Sequence, residues 1–281
     1  MVAYIPPKTA KYIPVVDLAA SAPHRAIRDA CLGTGFFYVA NHGVAAKLIE
    51  DQMSWAKRFF ALPTAAKTAL HLRHSQARNG YDPMGMQVLD GDSPPDLKEG
   101  YYFGADLPDD NPYVQRKLTK YGGNLWPDLP GFREQMLAYH AAVVDLAGRL
   151  MGQIALSLEL PESYFAPMLV DPIASALLVH YPPHPANAKP NQLGAGAHTD
   201  WGGITILLQD DCGGLEVETI DGEWVRAVPI PDTFVVNLGQ LMARWTNGLY
   251  KANMHRVLNT VAGRDRYSVP LFFSPNYDVV I

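Results

Sequence analysis

The chain has 281 residues, which at roughly 150 residues per domain allows two modest domains or one large β-rich domain. Its 48% of hydrophobic and 18% of charged residues are typical of a folded globule and exclude a disordered, coiled-coil or collagen-like chain. Twenty-three Lys and Arg against 28 Asp and Glu leave a formal charge of −5, so we expect no nucleic-acid partner.

No targeting or membrane segment is predicted. The first residues lack the apolar region of a signal peptide, and no run of 18 apolar residues occurs along the chain. The two cysteines, Cys31 and Cys212, are far apart and outside any C-x-x-C spacing, which argues against a disulfide framework or a cysteine zinc site. We therefore expect a cytoplasmic protein with no membrane partner.

The first half of the chain is predicted to be mainly helical. Apolar residues recur at helical spacing over 21–33, with Ser21 as N-cap and Gly33 as the stop, and over 44–62, before Pro63. The strongest helical pattern covers 132–158. Apolar stripes of this kind predict helices that pack against a core.

The second half is predicted to form short strands. β-branched and aromatic runs separated by Gly and Asn turn signals cover 176–181, 204–209, 215–218, 224–228, 234–237, 255–259 and 267–273. Many short strands at this spacing predict a sandwich, a barrel or a jelly roll. The fold class is therefore mainly β with flanking helices.

A candidate metal site appears in this β-rich half. Of the nine histidines only His198 is followed two places later by an acid, Asp200, and His255 is a candidate third ligand. Residues i and i+2 of a strand face the same side, so His198 and Asp200 are expected to reach one ion together. Two imidazoles and one carboxylate leave coordination positions open and suit non-haem Fe(II). The alternative is a turn Asp beside two structural histidines.

A candidate carboxylate clamp follows eleven residues later. Arg266 and Ser268 alternate on a predicted strand, where a guanidinium and a hydroxyl can grip a carboxylate. The same Arg-x-Ser pattern occurs at 73–75, outside the predicted strands, so the pattern alone has little specificity.

An ordered set of short motifs resembles the isopenicillin N synthase-like branch of the 2-oxoglutarate- and Fe(II)-dependent dioxygenases. The motifs span nearly the whole chain and lie at 13–18, 35–39, 41–43, 196–200, 207–210, 213–215, 237–239, 246–247, 255–257, 266–268 and 272–276. The resemblance implies a double-stranded β-helix, a distorted cupin-like jelly roll wrapped by helices. It divides the chain into an N-terminal mixed α/β module over 1–120 and a catalytic core, a helix plus the β-helix, over 121–281, packed as one globule.

The resemblance also implies roles for individual residues. His198, Asp200 and His255 would bind Fe(II), while Arg266 and Ser268 would hold the distal carboxylate of 2-oxoglutarate. Tyr181 resembles the family tyrosine that assists at the cosubstrate, although Val179-His180 stands where plant relatives usually carry Asn-Tyr. A strand-end aromatic is the alternative for Tyr181. Candidate contacts for a small organic substrate are Asn79, Tyr81, Trp201, Trp245 and Phe272, each of which could equally be a core residue.

The implied reaction consumes O2 and 2-oxoglutarate, releases succinate and CO2, and hydroxylates the substrate by default, with desaturation or ring closure as variants. Three alternatives stay open. They are an oxidase of the same fold that does not use 2-oxoglutarate, a cupin-like metal-binding protein without turnover, and a zinc hydrolase with the same ligands. Family members usually continue for some tens of residues beyond this region, so this sequence, ending at Ile281, is either a short member or a trimmed one.

Overall fold

The computed structural model describes residues 13–86, 94–189, 192–219, 221–259 and 263–281. Its α-helices are α1 (Pro23–Leu32), α2 (Ala46–Phe60), α3 (Thr64–Ala69), α4 (Pro112–Gln115), α5 (Phe132–Ser157) and α6 (Gln240–Trp245). Single turns of 3-10 helix lie at Leu72–His74 and Ala166–Leu169.

Twelve strands are formed by the described residues. In chain order they are β1 (Val15–Asp17), β2 (Phe36–Ala40), β3 (Gly80–Asp82), β4 (Glu99–Phe103), β5 (Ile173–Tyr181), β6 (Ala195–His198), β7 (Ile204–Gln209), β8 (Leu215–Glu218), β9 (Trp224–Arg226), β10 (Phe234–Leu238), β11 (His255–Val257) and β12 (Arg266–Ser274).

The strands build two sheets that face each other. The major sheet has the order β1-β2-β10-β7-β12-β5-β4-β3 and the minor sheet the order β6-β11-β8-β9, with β1–β2 as the one parallel pair among the named strands. Leu177 and Val179 of the major sheet join Leu215 and Val217 of the minor sheet in one buried cluster, hereafter the inner cluster. The predicted jelly-roll class is therefore confirmed, because side chains of two largely antiparallel sheets interdigitate to form this core.

The other face of the major sheet is covered by helices. Along β5, Ala176 and Leu178 point away from the inner cluster and belong to a second, larger buried cluster with Leu146 and Leu150 of α5. This alternation is the two-residue period of a strand buried on both faces. Successive side chains of β5 therefore lie alternately in the space between the sheets and against the helical layer.

The N-terminal half differs from the prediction, since it contributes four strands as well as helices. Its strand β2 is a continuous apolar run that pairs with β1 and with the distant β10. A run of this kind carries no two-residue alternation, and its partners lie elsewhere in the sequence. The division of the chain at residue 120 stays a prediction.

Several element ends also differ from the prediction. The N-cap of α1 is Ala22 rather than Ser21, because Pro23 with its fixed φ takes the first helical position. Helix α2 spans Ala46–Phe60, somewhat less than predicted, whereas α5 agrees to within one residue. The strand predicted over 255–259 ends at Val257, where pairing with β8 stops.

Within the described ranges, no helix combines the length and the apolar character that crossing a bilayer requires.

The packing of α5 on the major sheet gives a stability prediction. Leu150→Ala removes a side chain with no exposed surface and leaves a cavity against the sheet. We expect the free energy of unfolding, measured by urea titration with circular dichroism, to fall by about 2–5 kcal/mol. Leu32→Ala is the matched control, since Leu32 of α1 is 44% exposed and its loss should change stability by no more than about 0.5 kcal/mol. Equal effects of the two substitutions would contradict the packing described here.

Candidate active site

Two strands of the minor sheet bring the predicted metal ligands together. His198 is the last residue of β6 and His255 the first of β11, and the two are directly paired in the antiparallel register. Their ring centroids lie 4.2 Å apart. Asp200 follows in the turn after β6, so it reaches the histidines from that turn and not, as predicted, from the same face of a strand.

The three side chains converge on one point. Asp200 Oδ1 lies 3.9 Å from His198 Nε2 and 3.8 Å from His255 Nε2, and one ligand atom from each residue falls within 4.8 Å of the others. The Nδ1 atoms turn away, that of His198 lying 2.7 Å from the carbonyl oxygen of Gly196. Spacings of this size fit one ion held at about 2.0–2.2 Å by nitrogen and oxygen. The donor set therefore fits the Fe(II) that the sequence predicted.

The second oxygen of Asp200 is held by the major sheet. Thr205 Oγ1 of β7 donates to Asp200 Oδ2 at 2.6 Å, and Asn237 Nδ2 of β10 donates to the same oxygen at 2.7 Å. These bonds fix the carboxylate while leaving Oδ1 directed at the histidines. Sequence reasoning assigned no role to Thr205 or Asn237, although the motif at 237–239 contains Asn237.

A backbone contact positions the turn that carries Asp200. The backbone N–H of Gln240 donates to the carbonyl oxygen of Asp200 at 2.8 Å. The backbone N–H of Gly239 donates to the carbonyl oxygen of Gly203 at 3.0 Å. A Cβ at Gly239 would lie 2.1 Å from the carbonyl oxygen of Gly202. Only glycine allows this approach.

The protonation states suit metal binding. Burial, followed by the neighbouring His255, lowers the pKa of His198 below its usual value. Burial alone would raise the pKa of the Asp200 carboxyl, but His255 and the hydrogen bonds from Asn237 and Thr205 hold it below its usual value. A neutral imidazole and an ionised carboxylate are the forms that coordinate a metal ion.

The predicted clamp residues lie together on the inner face of the major sheet. Arg266 is 1% exposed, and its Nε donates to the carbonyl oxygen of Gly213 at 2.5 Å. Its Nη1 lies 3.4 Å from Ser268 Oγ, and its guanidinium stacks 4.7 Å above the ring of Tyr181. Arg266 Nη2 is buried with no hydrogen-bond partner among the described residues. A buried guanidinium with a free donor fits the carboxylate of a cosubstrate.

The clamp lies on the same face of the major sheet as Thr205, which holds Asp200. Ser268 of β12 pairs with Gln209 of β7, and Thr205, which holds Asp200, lies four residues before Gln209 on that strand. Four residues of a strand span roughly 13 Å.

An ionic network that is buried except at Asp265 supports the strand positions of Tyr181 and Arg266 from the outer side. His180 bridges Glu99 Oε1 at 2.8 Å and Asp265 Oδ1 at 2.7 Å. Burial opposes ionisation of Glu99, but hydrogen bonds from His180, Lys67 and Tyr81 bring its pKa down to about 2. Burial would lower the pKa of the His180 imidazole, but its hydrogen bonds to Glu99 and Asp265 outweigh burial and raise it. Sequence reasoning missed this network because its members are far apart in the chain.

Among the predicted substrate contacts, Phe272 packs against the inner cluster. Trp201 follows Asp200 directly and is 89% exposed. Asn79 is 1% exposed and lies beside Gly104, since a Cβ placed on Gly104 would be 3.6 Å from Asn79 Nδ2.

The other two predicted substrate contacts lie in the larger cluster on the helical side of the sheet. Trp245 packs on Phe165 with ring centroids 5.1 Å apart, and the Tyr81 hydroxyl donates to Glu99 Oε2 at 2.5 Å. For these two residues a substrate contact stays a prediction.

Two family models match long parts of the chain. The model described as the non-haem dioxygenase in morphine synthesis N-terminal region matches residues 13–129. The model of the 2OG-Fe(II) oxygenase superfamily matches residues 173–275, which contain the three candidate ligands and Arg266.

Individual proteins show the same similarity. A 2-oxoglutarate-Fe(II) type oxidoreductase from Emericella nidulans is 41% identical over 261 residues, covering 90% of this chain and 74% of the relative. The crystal structure of a full-length Neurospora crassa protein in complex with alpha-KG, which is 2-oxoglutarate, has a TM-score of 0.83 at 29% identity, covering 95% of this chain and 86% of that one. The same Neurospora crassa protein in complex with alpha-KG and thymine has a TM-score of 0.81 at 28% identity, with coverages of 95% and 87%.

The hydrogen bonds to Asp200 Oδ2 give a prediction about metal affinity. Thr205→Val keeps the side-chain shape but removes one donor, so the carboxylate loses part of its orientation. We expect Fe(II) affinity, measured by anaerobic equilibrium dialysis, to fall about 10–100-fold. Thr233→Val serves as control, because the Thr233 hydroxyl donates to the nearby carbonyl oxygen of Ile230 at 2.8 Å. Unchanged affinity in Thr205→Val would show that this bond does not orient the ligand.

Proposed function

Because this chain belongs to the isopenicillin N synthase-like branch of the 2-oxoglutarate- and Fe(II)-dependent oxygenases, and is a dioxygenase of that type, we propose that His198, Asp200 and His255 bind its iron. One observation carries the assignment: one ligand atom from each of the three residues lies within 4.8 Å of the others. Two histidines and one carboxylate leave coordination positions for a chelating cosubstrate and O2.

Arg266, Ser268 and Tyr181 bind 2-oxoglutarate in this proposal. The free Nη2 of Arg266 and the hydroxyl of Ser268 donate to the distal carboxylate, and the Tyr181 ring under the guanidinium holds the arginine in place. Since Arg266 is 1% exposed, an empty clamp would leave a buried charge without an anion. The cosubstrate carboxylate removes that cost.

Bound iron supplies O2 activation, coupling the oxidative decarboxylation of 2-oxoglutarate to oxidation of a substrate C–H bond. The residues of the chain supply orientation. Thr205 and Asn237 keep the Asp200 carboxylate in one rotamer, and Arg266 fixes the direction of the diacid. The apolar inner cluster limits access of water to the oxidising centre.

We further infer that the oxidation is a hydroxylation and that the substrate is a small organic molecule. One of the Neurospora crassa complexes contains thymine, which supports a substrate of that size for this fold. Phe272 of the inner cluster and Trp201 beside Asp200 are the candidate substrate contacts best placed for this role. Both cysteines are free, in keeping with a reducing cytoplasmic setting.

The metal assignment predicts the effect of removing a ligand. His198→Ala or Asp200→Ala should abolish Fe(II) binding, measured by metal analysis after dialysis, and with it the release of succinate. His184→Ala is the control, because His184 lies on a loop outside the proposed site and should keep both properties. Full activity in either ligand variant would overturn the triad.

The clamp assignment predicts a separate effect at Arg266. Anaerobic titration of the iron-loaded protein with 2-oxoglutarate should give a saturable visible charge-transfer band. We expect Arg266→Ala to need about 10–100-fold more 2-oxoglutarate, since a charge-assisted hydrogen bond is lost, while its iron content is unchanged. Arg264→Ala, an exposed arginine two residues away, should titrate as the unaltered protein does. Equal loss of iron and of 2-oxoglutarate binding would contradict the clamp.

A further inference from the structure

A group of hydrogen-bond donors lies at the β3–β4–β5 end of the major sheet, away from the clamp. The group consists of Lys120, Asn79 and Ser175, and we call it the donor cluster. The proposed metal and 2-oxoglutarate sites use none of the three side chains.

Lys120 is a half-buried cation whose ammonium lies over an aromatic ring. Its Nζ lies 4.1 Å from the ring centroid of Tyr102, whose side chain packs on the inner cluster. Over the part of the chain that the structure describes, no carboxylate forms an ion pair with this ammonium. Burial and the neighbouring Arg78, opposed by Asp82, lower the pKa of Lys120 to about 8. The ammonium is therefore still mostly charged at neutral pH.

Asn79 and Ser175 add two buried polar groups. They are 1% and 5% exposed, and neither Asn79 Nδ2 nor Ser175 Oγ has a hydrogen-bond partner within the described ranges. A buried polar atom without a hydrogen-bond partner destabilises the folded state. Two such atoms at one end of the sheet indicate a bound ligand that supplies their hydrogen-bond partners.

Strand register places Asn79 and Ser175 near each other, and Tyr102, which contacts Lys120, lies on the strand between them. Gly80 pairs with Tyr102, and Asn79, just before β3, lies near Gly104. Tyr102 also pairs with Leu177, and Ser175 lies on the same face of β5, two residues before Leu177. A Cβ at Gly104 would lie 3.6 Å from Asn79 Nδ2 and 3.5 Å from the carbonyl oxygen of Ala174, so the amide of Asn79 lies close to strand β5.

The same register places the cluster beside the metal site. Ser175 pairs with Phe272, and Phe272 pairs with Thr205, which donates to Asp200. The clamp lies at the other end, since Arg266 pairs with Tyr181, six residues or roughly 20 Å along β5. A molecule held by the donor cluster would lie near the metal without occupying the cosubstrate clamp.

We propose that the donor cluster binds a carboxylate of the substrate, which makes the substrate a small carboxylic acid whose apolar body contacts Phe272 and Leu177. The inference rests on the proposed function, because it places that substrate at the metal. An ammonium, an amide N–H and a hydroxyl can all donate, and an ionised carboxylate only accepts. The apolar side chains between the cluster and Asp200 suit a ring or short hydrocarbon chain.

The test uses iron-loaded protein with saturating 2-oxoglutarate under anaerobic conditions, so that binding is measured without turnover. Benzoate, phenylacetate and cinnamate are titrated calorimetrically, each beside its primary amide. We expect at least one acid to bind about tenfold or more tighter than its amide. Lys120→Met should remove that preference, and Lys120→Arg should restore part of it. Ser175→Ala should weaken acid binding severalfold.

Lys117→Met is the matched control, because Lys117 is an exposed lysine of the same segment and its loss should leave the preference unchanged. The proposal is overturned if acids bind no better than amides, if none of the acids binds, or if Lys120→Met keeps the preference. The charge-transfer band of 2-oxoglutarate is recorded in the same samples. Its loss would indicate failure of the proposed iron or cosubstrate site, whereas a normal band without acid preference would contradict the donor cluster alone.

Discussion

The carboxylate of Asp200 connects the two sheets of this protein. One of its oxygens faces His198 and His255 on the minor sheet, and the other accepts hydrogen bonds from Thr205 and Asn237 on the major sheet. The site therefore has its geometry only when the sheets close over the inner cluster. Metal affinity and packing of the jelly roll are coupled through this one side chain, because binding to a site that exists only in the folded state stabilises the fold.

Polar groups that face the inner side of the major sheet occur at its two ends, with apolar side chains between them. Arg266 and Ser268 lie at one end of the strands, whereas Thr205 and Asn237, which hold Asp200, lie toward the other end, as does Ser175 of the donor cluster. Buried polar groups destabilise a core unless they are paired. The unpaired donors of Arg266, Asn79 and Ser175 are therefore best understood as groups whose hydrogen-bond acceptors are supplied by a bound molecule. Two separate sets of donors correspond to two separate carboxylates, one on the cosubstrate and one on the proposed substrate.

The outer face of the same sheet has a different role. There Glu99, Lys67 and His180 form a closed ionic network, and Tyr267 stacks on His180 with 14° between the ring planes. The network includes His180 and Asp265, the polar residues that precede Tyr181 and Arg266 in the sequence. Because strand residues alternate, a rigid outer layer fixes the direction in which the inner residues point. The clamp is thus supported by groups that never reach the cosubstrate.

Local sequence determined the parts of this protein that depend on short-range pattern. The apolar period of α5, the strand runs at Ile204–Gln209 and Leu215–Glu218, and the identities of the three candidate metal ligands were all predictable. The predicted strand distinguished Arg266 and Ser268 from the similar motif at 73–75, and the family resemblance added 2-oxoglutarate as the carboxylate that they would hold.

Tertiary structure decided the rest. Strand β2 has no alternation of its own and is defined by partners up to about two hundred residues away. Thr205, Asn237 and Lys120 acquire their roles from strand pairing and from side chains distant in sequence. Residue type and spacing determine which chemistry is available, but sheet register alone determines which polar groups remain unpaired, because pairing between distant strands leaves no periodic signal in the sequence.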